Sequence, residues 1–549
     1  MLELPLSRTN SDRLQRAVQG VSSIPAHCGE VAPSGTRRLS LTEVANGLSR
    51  AADERSRHDA VLQLVATLSS QLPRLDPGSE QAVAASGLVR ALLDIARPLS
   101  HVAGMSTSHR LWTETSPVLT ALDNSYATHA LVAELVLAAL ELLSRLGLDV
   151  IDDQALVLIV AYTDVHDPWT TASSSCLATS LVASHISDDK LTPFIVGPVL
   201  QAYVRPIFSQ SSGTDVRTGR PGRCRHVHHS SQDGLRWKEQ DPLVTSVFRW
   251  AVDNADVRIP TGPFERRRLK VPLKTPLIAG NWHLFLPVLL ILIEDQEVSV
   301  RGNGLEILIK FLQKCLPEIL VPTGLGTLFE DAVFPSLLSL PSSAEAQDCV
   351  ATLCLAFDVL LHLARADQDP EHHRKRRLLD RLIRGGFLAG HLNTSTHAVV
   401  IETFMHYVAA AVDCLGIFAA KHLQVLLQYI DSVMTDPFAL VRPATVMASG
   451  KALNALLTNC WPIMVQAAHT EHVLCIITTC WMNSHDQAVT AGKPTTNDMV
   501  CIRQELVFSS QLLQSTWPGC MPEELDHKLS EALSKEPRLR PLFHYTPSR

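Results

Sequence analysis

Along most of the chain, apolar residues recur at the three-to-four-residue spacing of an amphipathic helix. Val61, Leu64 and Leu68 form one such stripe, and Pro73 follows the point where it ends. Comparable runs lie at 82–99, 127–146, 155–160, 171–186 and 191–203. The alternating apolar and polar positions of a strand do not stand out, so the pattern predicts an all-α fold.

The clearest helical pattern lies between residues 282 and 341. An apolar run over 284–293 is followed by an acidic turn and then by a second amphipathic run that reaches Cys315. This order predicts a helix, a tight turn and a second helix, with Gly302 where the two helices pack closely. The residues predicted to shape the packing and the turns are Trp282, Pro287, Asp295, Gly302, Gly324 and Pro341.

The turn of this segment recurs once more in a similar form. Asp295 is followed by Val300-Arg301, and Asp436 is followed by Val441-Arg442. In helical repeats of about 40–47 residues, such a turn joins the two helices of a pair, with the valine buried and the arginine against the turn. We therefore predict a HEAT/armadillo-like solenoid of paired helices.

Changes in residue composition and apolar periodicity along the sequence predict how the chain is divided. Residues 1–55 predict a poorly ordered arm, and residues 56–206 predict a first set of helical repeats. Residues 207–280 are rich in Ser, Gly, His and Arg and predict a partly disordered insertion with one helix at 242–253. Helical texture resumes over 281–535, where we expect the main partner surface, and a Pro-containing tail occupies 536–549.

Composition narrows the classes of function. The net charge is −7, which gives no overall basic field for binding nucleic acid or an anionic membrane. The longest apolar run is about half of the 20 residues that a membrane helix needs. The first residues lack an apolar secretory core, so no signal peptide is expected. The cysteines are scattered, which favours a reducing compartment.

Most cysteines fall within apolar helical patterns, as buried thiols do. The sequence accordingly predicts free, buried thiols and no disulfide framework. The cysteines concerned are Cys176, Cys315, Cys349, Cys354, Cys414, Cys475 and Cys480.

One cluster carries the residue types of a zinc site. Cys224, His226, His228 and His229 alternate in the polar insertion, and an extended segment would bring three of them around one ion. No second pair of ligands lies nearby, however, so a polar linker is the favoured interpretation and no metal is expected.

An acidic pair supports the best enzymatic alternative. Asp152-Asp153 precedes an apolar helix, and paired aspartates bind magnesium in some all-α synthases. The third carboxylate is missing, so a helix N-cap is favoured. The chain also lacks a phosphate-binding loop, a nucleophile elbow and a dinucleotide fingerprint. We therefore predict a protein without catalytic activity, cofactor or metal.

The strongest charge feature is a basic helix over residues 374–384. Arg377, Arg381 and Arg384 fall on one helical face, beyond Arg374, while Leu378 and its apolar neighbours face the core. A solvated helix face is the default interpretation, and a nuclear-import or acidic-partner surface is the alternative.

Three groups of residues together resemble one known family. The first is Arg205-Pro206 with the residues around it, and the second is Trp237-Lys238 with Trp250 downstream. The third is the 282–341 segment described above. In combination they resemble the Tti-two family, the Tel-two-interacting subunit of the TTT co-chaperone complex. The resemblance covers about residues 203–341.

This resemblance implies a scaffold that joins the other two TTT subunits. It further implies a role in maturing phosphatidylinositol-3-kinase-related kinases through heat-shock chaperone adaptors, and thus in DNA-damage and TOR signalling, in cytoplasm and nucleus. The alternative is another helical-repeat adaptor, such as a nuclear transport receptor, which would bind cargo or nucleoporins.

Overall fold

The computed structural model describes residues 79–98, 119–145, 151–209, 237–238, 241–255, 277–338, 346–367, 372–390, 397–491, 497–516 and 523–543. Over these ranges every regular element is a helix, which confirms the all-α prediction. The arm predicted at 1–55 and most of the polar insertion lie outside the described residues. The chain divides between Lys314 and Cys315 into two compact units.

The first unit is built from helices that pack in neighbouring pairs. Its α-helices are α1 (Ser79–Ala96), α2 (Leu119–Arg145), α3 (Asp153–Ile159), α4 (Ala172–His185), α5 (Asp188–Phe194), α6 (Arg205–Ser209), α7 (Val244–Asp253), α8 (Leu277–Ile293) and α9 (Val298–Lys314). A 3₁₀ turn (Val160–Tyr162) follows α3, and a π-helix (Ile195–Val204) joins α5 to α6. The π-helix lies against α7 and α8, while α8 packs along α9.

Local sequence explains where these helices begin. At the start of α4, the Thr171 hydroxyl accepts a hydrogen bond from the Ser174 amide at 3.0 Å, and the Ser174 hydroxyl accepts one from the Thr171 amide at 2.8 Å. This reciprocal pair satisfies two amides that have no partner within the helix. Proline has no amide to donate and its ring clashes with the carbonyl four residues back, so Pro198 interrupts regular α-helical hydrogen bonding within the π-helical stretch.

The second unit is richer in long helices. Its α-helices are α10 (Pro317–Leu320), α11 (Leu325–Val333), α12 (Ala346–Arg365), α13 (His373–Arg381), α14 (Ala398–Leu415), α15 (Leu423–Met434), α16 (Pro443–Asn459), α17 (Trp461–Met464), α18 (Ala467–Ala491), α19 (Asn497–Ser515) and α20 (Glu523–Lys535). Short helical segments lie at Phe334–Leu338, Leu382–Leu388, Gly416–His422, Ala439–Val441 and Pro537–Leu542.

These helices form pairs, as in HEAT and armadillo repeats. Helix α11 packs on α12, α13 on α14, α15 on α16 and α18 on α19. The second members of the pairs, α12, α14, α16 and α19, also pack on one another in sequence and make a continuous layer. The aromatic rings of Phe357, Phe387, Phe404 and Tyr407 interlock at its start. Each pair thus buries its apolar faces against the next, which is how a repeat fold builds a core.

One stretch of the second unit is unusually long and apolar. Residues Ala398–Met434 are long and apolar enough, by length and composition, to cross a membrane, with a mean hydropathy of 1.5. The stretch is not one continuous α-helix, because Gly416 adopts a φ of 58° and a 3₁₀ segment separates α14 from α15. Helix α14 packs against α12 and α16, and 44% of the apolar window is buried within this chain.

Two expectations from the sequence are wrong in part. Val300 is buried after Asp295, as predicted, but Val441 after Asp436 is 73% exposed. The difference arises because residues 439–441 form a short 3₁₀ turn before α16, whereas Val300 already lies inside α9. Among the cysteines expected to be buried, Cys315 and Cys480 are buried, Cys176 and Cys475 are exposed, and the other three are half-buried. Cys176 and Cys475 lie on the outer stripes of α4 and α18.

Candidate functional site

The residues that the sequence singled out around positions 237 and 295 meet in the structure. Trp237 is buried, and its ring lies 4.9 Å from that of Phe208, centroid to centroid. The neighbouring Lys238 ammonium donates to Asp295 Oδ1 and to Glu297 Oε2, both at 2.8 Å. The pair Trp237-Lys238 is thereby fastened to the turn between α8 and α9.

The acidic turn is organised to receive this cation. Asp295 Oδ1 also accepts the Glu297 amide at 2.9 Å, and the Arg301 Nε donates to the Asp295 carbonyl at 3.0 Å. Burial by itself lowers the pKa of Lys238, but the hydrogen bonds and charges of Asp295 and Glu297 outweigh burial and raise it. Lys238 therefore stays charged, and the turn is held by an ion pair with little access to water.

A second set of ion pairs ties α7 to α9. The Arg249 side chain is almost fully buried, and its Nη1 donates to Glu306 Oε1 at 2.9 Å. One turn further on, the Lys310 ammonium donates to Asp253 Oδ2 at 3.0 Å. Because these contacts join helices about 57 positions apart in sequence, they fix the packing of α7 on the α8–α9 hairpin.

Other predicted residues have mainly structural settings. Trp250 is buried in α7 and meets Phe194 edge-on at 6.1 Å. Arg205 and Pro206 lie exposed at the start of α6, and Trp282 and Pro287 are half-buried in α8. No contact of these four residues points to a reaction, so we assign them no chemical role.

Two glycines occupy special positions, one of which the sequence did not single out. Gly324 has a φ of 72° and caps the start of α11, a left-handed conformation that glycine adopts without strain. Gly302 is buried in α9 as expected, but a close helix approach is seen at Gly304. A Cβ there would lie 2.7 Å from Leu292 Cβ. Pro341 lies outside the described residues.

The acidic pair Asp152-Asp153 is a helix cap. Asp152 Oδ1 accepts the Ala155 amide at 2.8 Å, and Arg90 lies 3.4 Å from the other carboxylate oxygen. This confirms the N-cap interpretation. The pair lines a cleft of about 470 Å³ between α1, α3 and the π-helix. The described residues lining that cleft also include Asp94 and Tyr203, and they include no Ser, Cys or His.

The zinc-site candidate in the polar insertion remains a prediction. Cys224, His226, His228 and His229 lie outside the described residues. Within the described part of the chain, no group of three or more His, Cys, Asp or Glu side chains is placed to hold an ion.

The basic helix is oriented as the sequence predicted. Arg377, Arg381 and Arg384 are exposed, while Leu378 and Ile383 are buried. Arg374 differs from them, because it turns inward to Glu330, with 3.9 Å between Nε and Oε1. Burial raises the pKa of Glu330, and the charge of Arg374 opposes that rise. Of the exposed arginines, Arg381 pairs with Asp331 at 2.6 Å, whereas Arg377 and Arg384 form no ion pair among the described residues.

The described residues thus form packed helices whose outer faces are exposed to solvent.

The model of the Tti2 family matches residues 155–441, just over half of the chain. The matched region begins in α3, ends just before α16 and includes every residue on which the resemblance to Tti-two depends. No solved structure matches the chain.

Proposed function

Because the chain belongs to the Tti2 family, we propose that it is a non-catalytic scaffold subunit of the TTT co-chaperone complex. The family match over residues 155–441 is the observation that carries this proposal. The fold is compatible with it, since paired helices expose long faces on which another helical protein can lie.

The finer proposal concerns partners and place of action. We infer that the chain joins the other two TTT subunits, Tel-two and Tti-one. With heat-shock chaperone adaptors, the assembly then stabilises newly made phosphatidylinositol-3-kinase-related kinases. Through those kinases it acts in DNA-damage and TOR signalling, in the cytoplasm and the nucleus. What supports this is membership of the family.

Exposed apolar side chains support a protein interface on the second unit. Phe438 is 78% exposed in the turn between α15 and α16, where Val441 is also exposed. Trp461 is exposed at the start of α17. Large apolar side chains are enriched in the centres of protein interfaces, so these positions are suitable probes for partner contacts.

The first experiment is affinity capture of the full, tagged chain from cells. We expect both other TTT subunits to co-purify, together with at least one kinase of this class. Depleting the chain should lower the steady-state amount of these kinases, and re-expression should restore it. Capture of neither subunit, or unchanged kinase levels after depletion, would contradict the proposal.

A variant pair locates the interface. Phe438→Asp combined with Val441→Asp should reduce capture of a TTT subunit while the melting temperature stays unchanged, because both side chains are solvent-exposed. Val165→Asp is the matched control, since Val165 is an exposed apolar residue in the first unit. Equal capture by the double variant and the control would place the interface away from the 436–442 turn.

A further inference from the structure

The exposed side of α13 is flanked by two aromatic rings on which arginines lie. The Arg381 guanidinium carbon is 4.0 Å from the centroid of Phe334, which precedes α13 in the unit. On the other side, the Arg376 guanidinium carbon is 4.2 Å from the centroid of Phe418, in the segment between α14 and α15. Stacking fixes the planes of these guanidinium groups. Arg376 Nε also donates to the His372 carbonyl at 3.4 Å.

The acidic side chains around α13 are already occupied. Asp331 pairs with Arg381 at 2.6 Å, and Asp380 binds both Lys421 and His422. Arg377 and Arg384 form no ion pair among the described residues, although the charge of Arg377 acts on Glu330. This surface therefore carries an excess of positive charge although the whole chain has a net charge of −7.

Apolar side chains are exposed in and near the segment that Arg376 contacts. Phe418 is 48% exposed although Arg376 covers one face of its ring. Ile417 precedes it, and Val425 follows in the first turns of α15, and both are exposed. A surface that combines unpaired arginines with exposed apolar groups fits a partner that offers both carboxylates and an apolar side chain.

The spacing of the two unpaired arginines indicates the form of the partner. Arg377 and Arg384 are seven positions apart, which is about 10 Å along a helix. An extended peptide covers about the same distance in three residues. We propose that the surface formed by Arg376, Arg377, Arg384 and Phe418 binds an extended acidic segment of a protein, with carboxylates about three residues apart and an apolar side chain between them.

This acidic-segment surface consists of residues of this chain alone, so it can be tested without the other TTT subunits. Its test is a titration of the purified full chain with a fluorescently labelled peptide, Glu-Glu-Phe-Glu-Glu. Two control peptides replace either the glutamates with glutamine or the phenylalanine with alanine. We expect both controls to bind at least tenfold more weakly, and binding of the parent peptide to weaken as salt is raised.

Variants connect the binding to the named residues. Arg377→Glu combined with Arg384→Glu should weaken binding of the parent peptide at least tenfold, and the milder Arg377→Gln with Arg384→Gln should weaken it less. Phe418→Ala should weaken binding of the parent peptide and leave the alanine peptide unaffected. Lys451→Glu, an exposed lysine on α16, is the control for a change of net charge and should bind as the wild type does.

Several results would overturn this inference. They are no saturable binding of the parent peptide, equal binding of the glutamine peptide, or an equal loss of binding in Lys451→Glu. A single-stranded oligonucleotide that displaces the peptide and binds more tightly than it would instead identify the surface as one for nucleic acid. Capture of the TTT subunits is a separate measurement, so failure of the titration and failure of the proposed function are distinguishable.

Discussion

Lys238 and Asp295 are 57 positions apart in the sequence, yet their side chains form an ion pair with an N–O distance of 2.8 Å. Both side chains are largely removed from water, at 13% and 11% exposure. The pair connects Trp237-Lys238, which lies within the polar insertion, to the turn of the α8–α9 hairpin. A largely buried cation is costly without its anion, because a charge would then be left buried and unpaired. The contact therefore fixes where the Trp237-Lys238 segment packs against the helices.

Loss of this ion pair should destabilise the hairpin. Lys238→Met leaves Asp295 without its cation, and Asp295→Asn leaves the ammonium with Glu297 alone. We expect each change to lower the free energy of opening of the α9 amides by about 2–3 kcal/mol, measured by native-state hydrogen exchange. The double variant should be less destabilised than the sum of the two single variants, by about 1 kcal/mol or more.

A solvent-exposed ion pair with the same N–O distance is the control for that experiment. Lys528 and Glu471 also lie 2.8 Å apart, but their side chains are 60% and 55% exposed. Because water screens this pair, Lys528→Met should cost no more than about 1 kcal/mol. An equal cost at both pairs would show that burial of Lys238 and Asp295 does not matter.

Gly304 should not tolerate a side chain. A Cβ there would lie 2.8 Å from the Leu292 carbonyl carbon, and a backbone atom cannot move aside as a flexible side chain can. We expect Gly304→Ala to lower the stability of the first unit by about 1–3 kcal/mol in thermal unfolding.

The matched change is Gly87→Ala in α1, where no atom lies within 4 Å of the added Cβ. Alanine has less backbone freedom to lose than glycine in a helix, so this variant should gain about 0.5–1 kcal/mol. If Gly304→Ala and Gly87→Ala shifted stability in the same direction, the close approach of α8 and α9 at Gly304 would be ruled out.

His485 should make the second unit less stable in mild acid. Burial lowers the pKa of His485 below 6.5, the charges of Arg503 and Arg538 lower it further, and Asp486 and Glu536 oppose this shift. Below about pH 6.5 the unfolded chain binds a proton at this residue that the folded chain does not bind. Stability is therefore present above that pH and is lost as the pH falls toward the pKa of the folded state.

The measurement compares melting temperatures at about pH 7.5 and about pH 5.5. We expect the temperature to fall less in His485→Gln than in the wild type, because the variant has no such group to protonate. His527→Gln, at an exposed position on α20, should keep the dependence of the wild type. The same fall in His485→Gln as in the wild type would contradict the assignment.

The cysteines should divide into two classes in native alkylation. The thiols of Cys176, Cys475 and Cys501 are exposed to solvent and should react with iodoacetamide in the native protein. Burial raises the pKa of Cys460 to about 11 and that of Cys480 to about 12, so little thiolate forms and both should react only after denaturation. Mass spectrometry of digested samples identifies each site, and early labelling of Cys480 would show that α18 opens readily.

The predictions from sequence succeeded where local pattern decides structure. The apolar spacing around Leu378 placed Arg377, Arg381 and Arg384 on the exposed face, and the acidic pair at Asp152 was correctly interpreted as a helix cap. The predictions failed where packing against other elements decides the structure. The same motif, Asp followed by Val-Arg, has its valine buried at Val300 and exposed at Val441, because the two turns join their helices in different ways.

The helical class, the family resemblance and the amphipathic faces can be predicted from the amino-acid sequence, because they depend on spacing within one segment and on the residues themselves. The contact of Lys238 with Asp295, the helix crossing at Gly304, and the rings of Phe334 and Phe418 beside Arg381 and Arg376 are seen only in the folded chain. Each of these contacts joins residues from different helices or segments. Their distances follow from how those elements pack, which spacing along the chain does not specify.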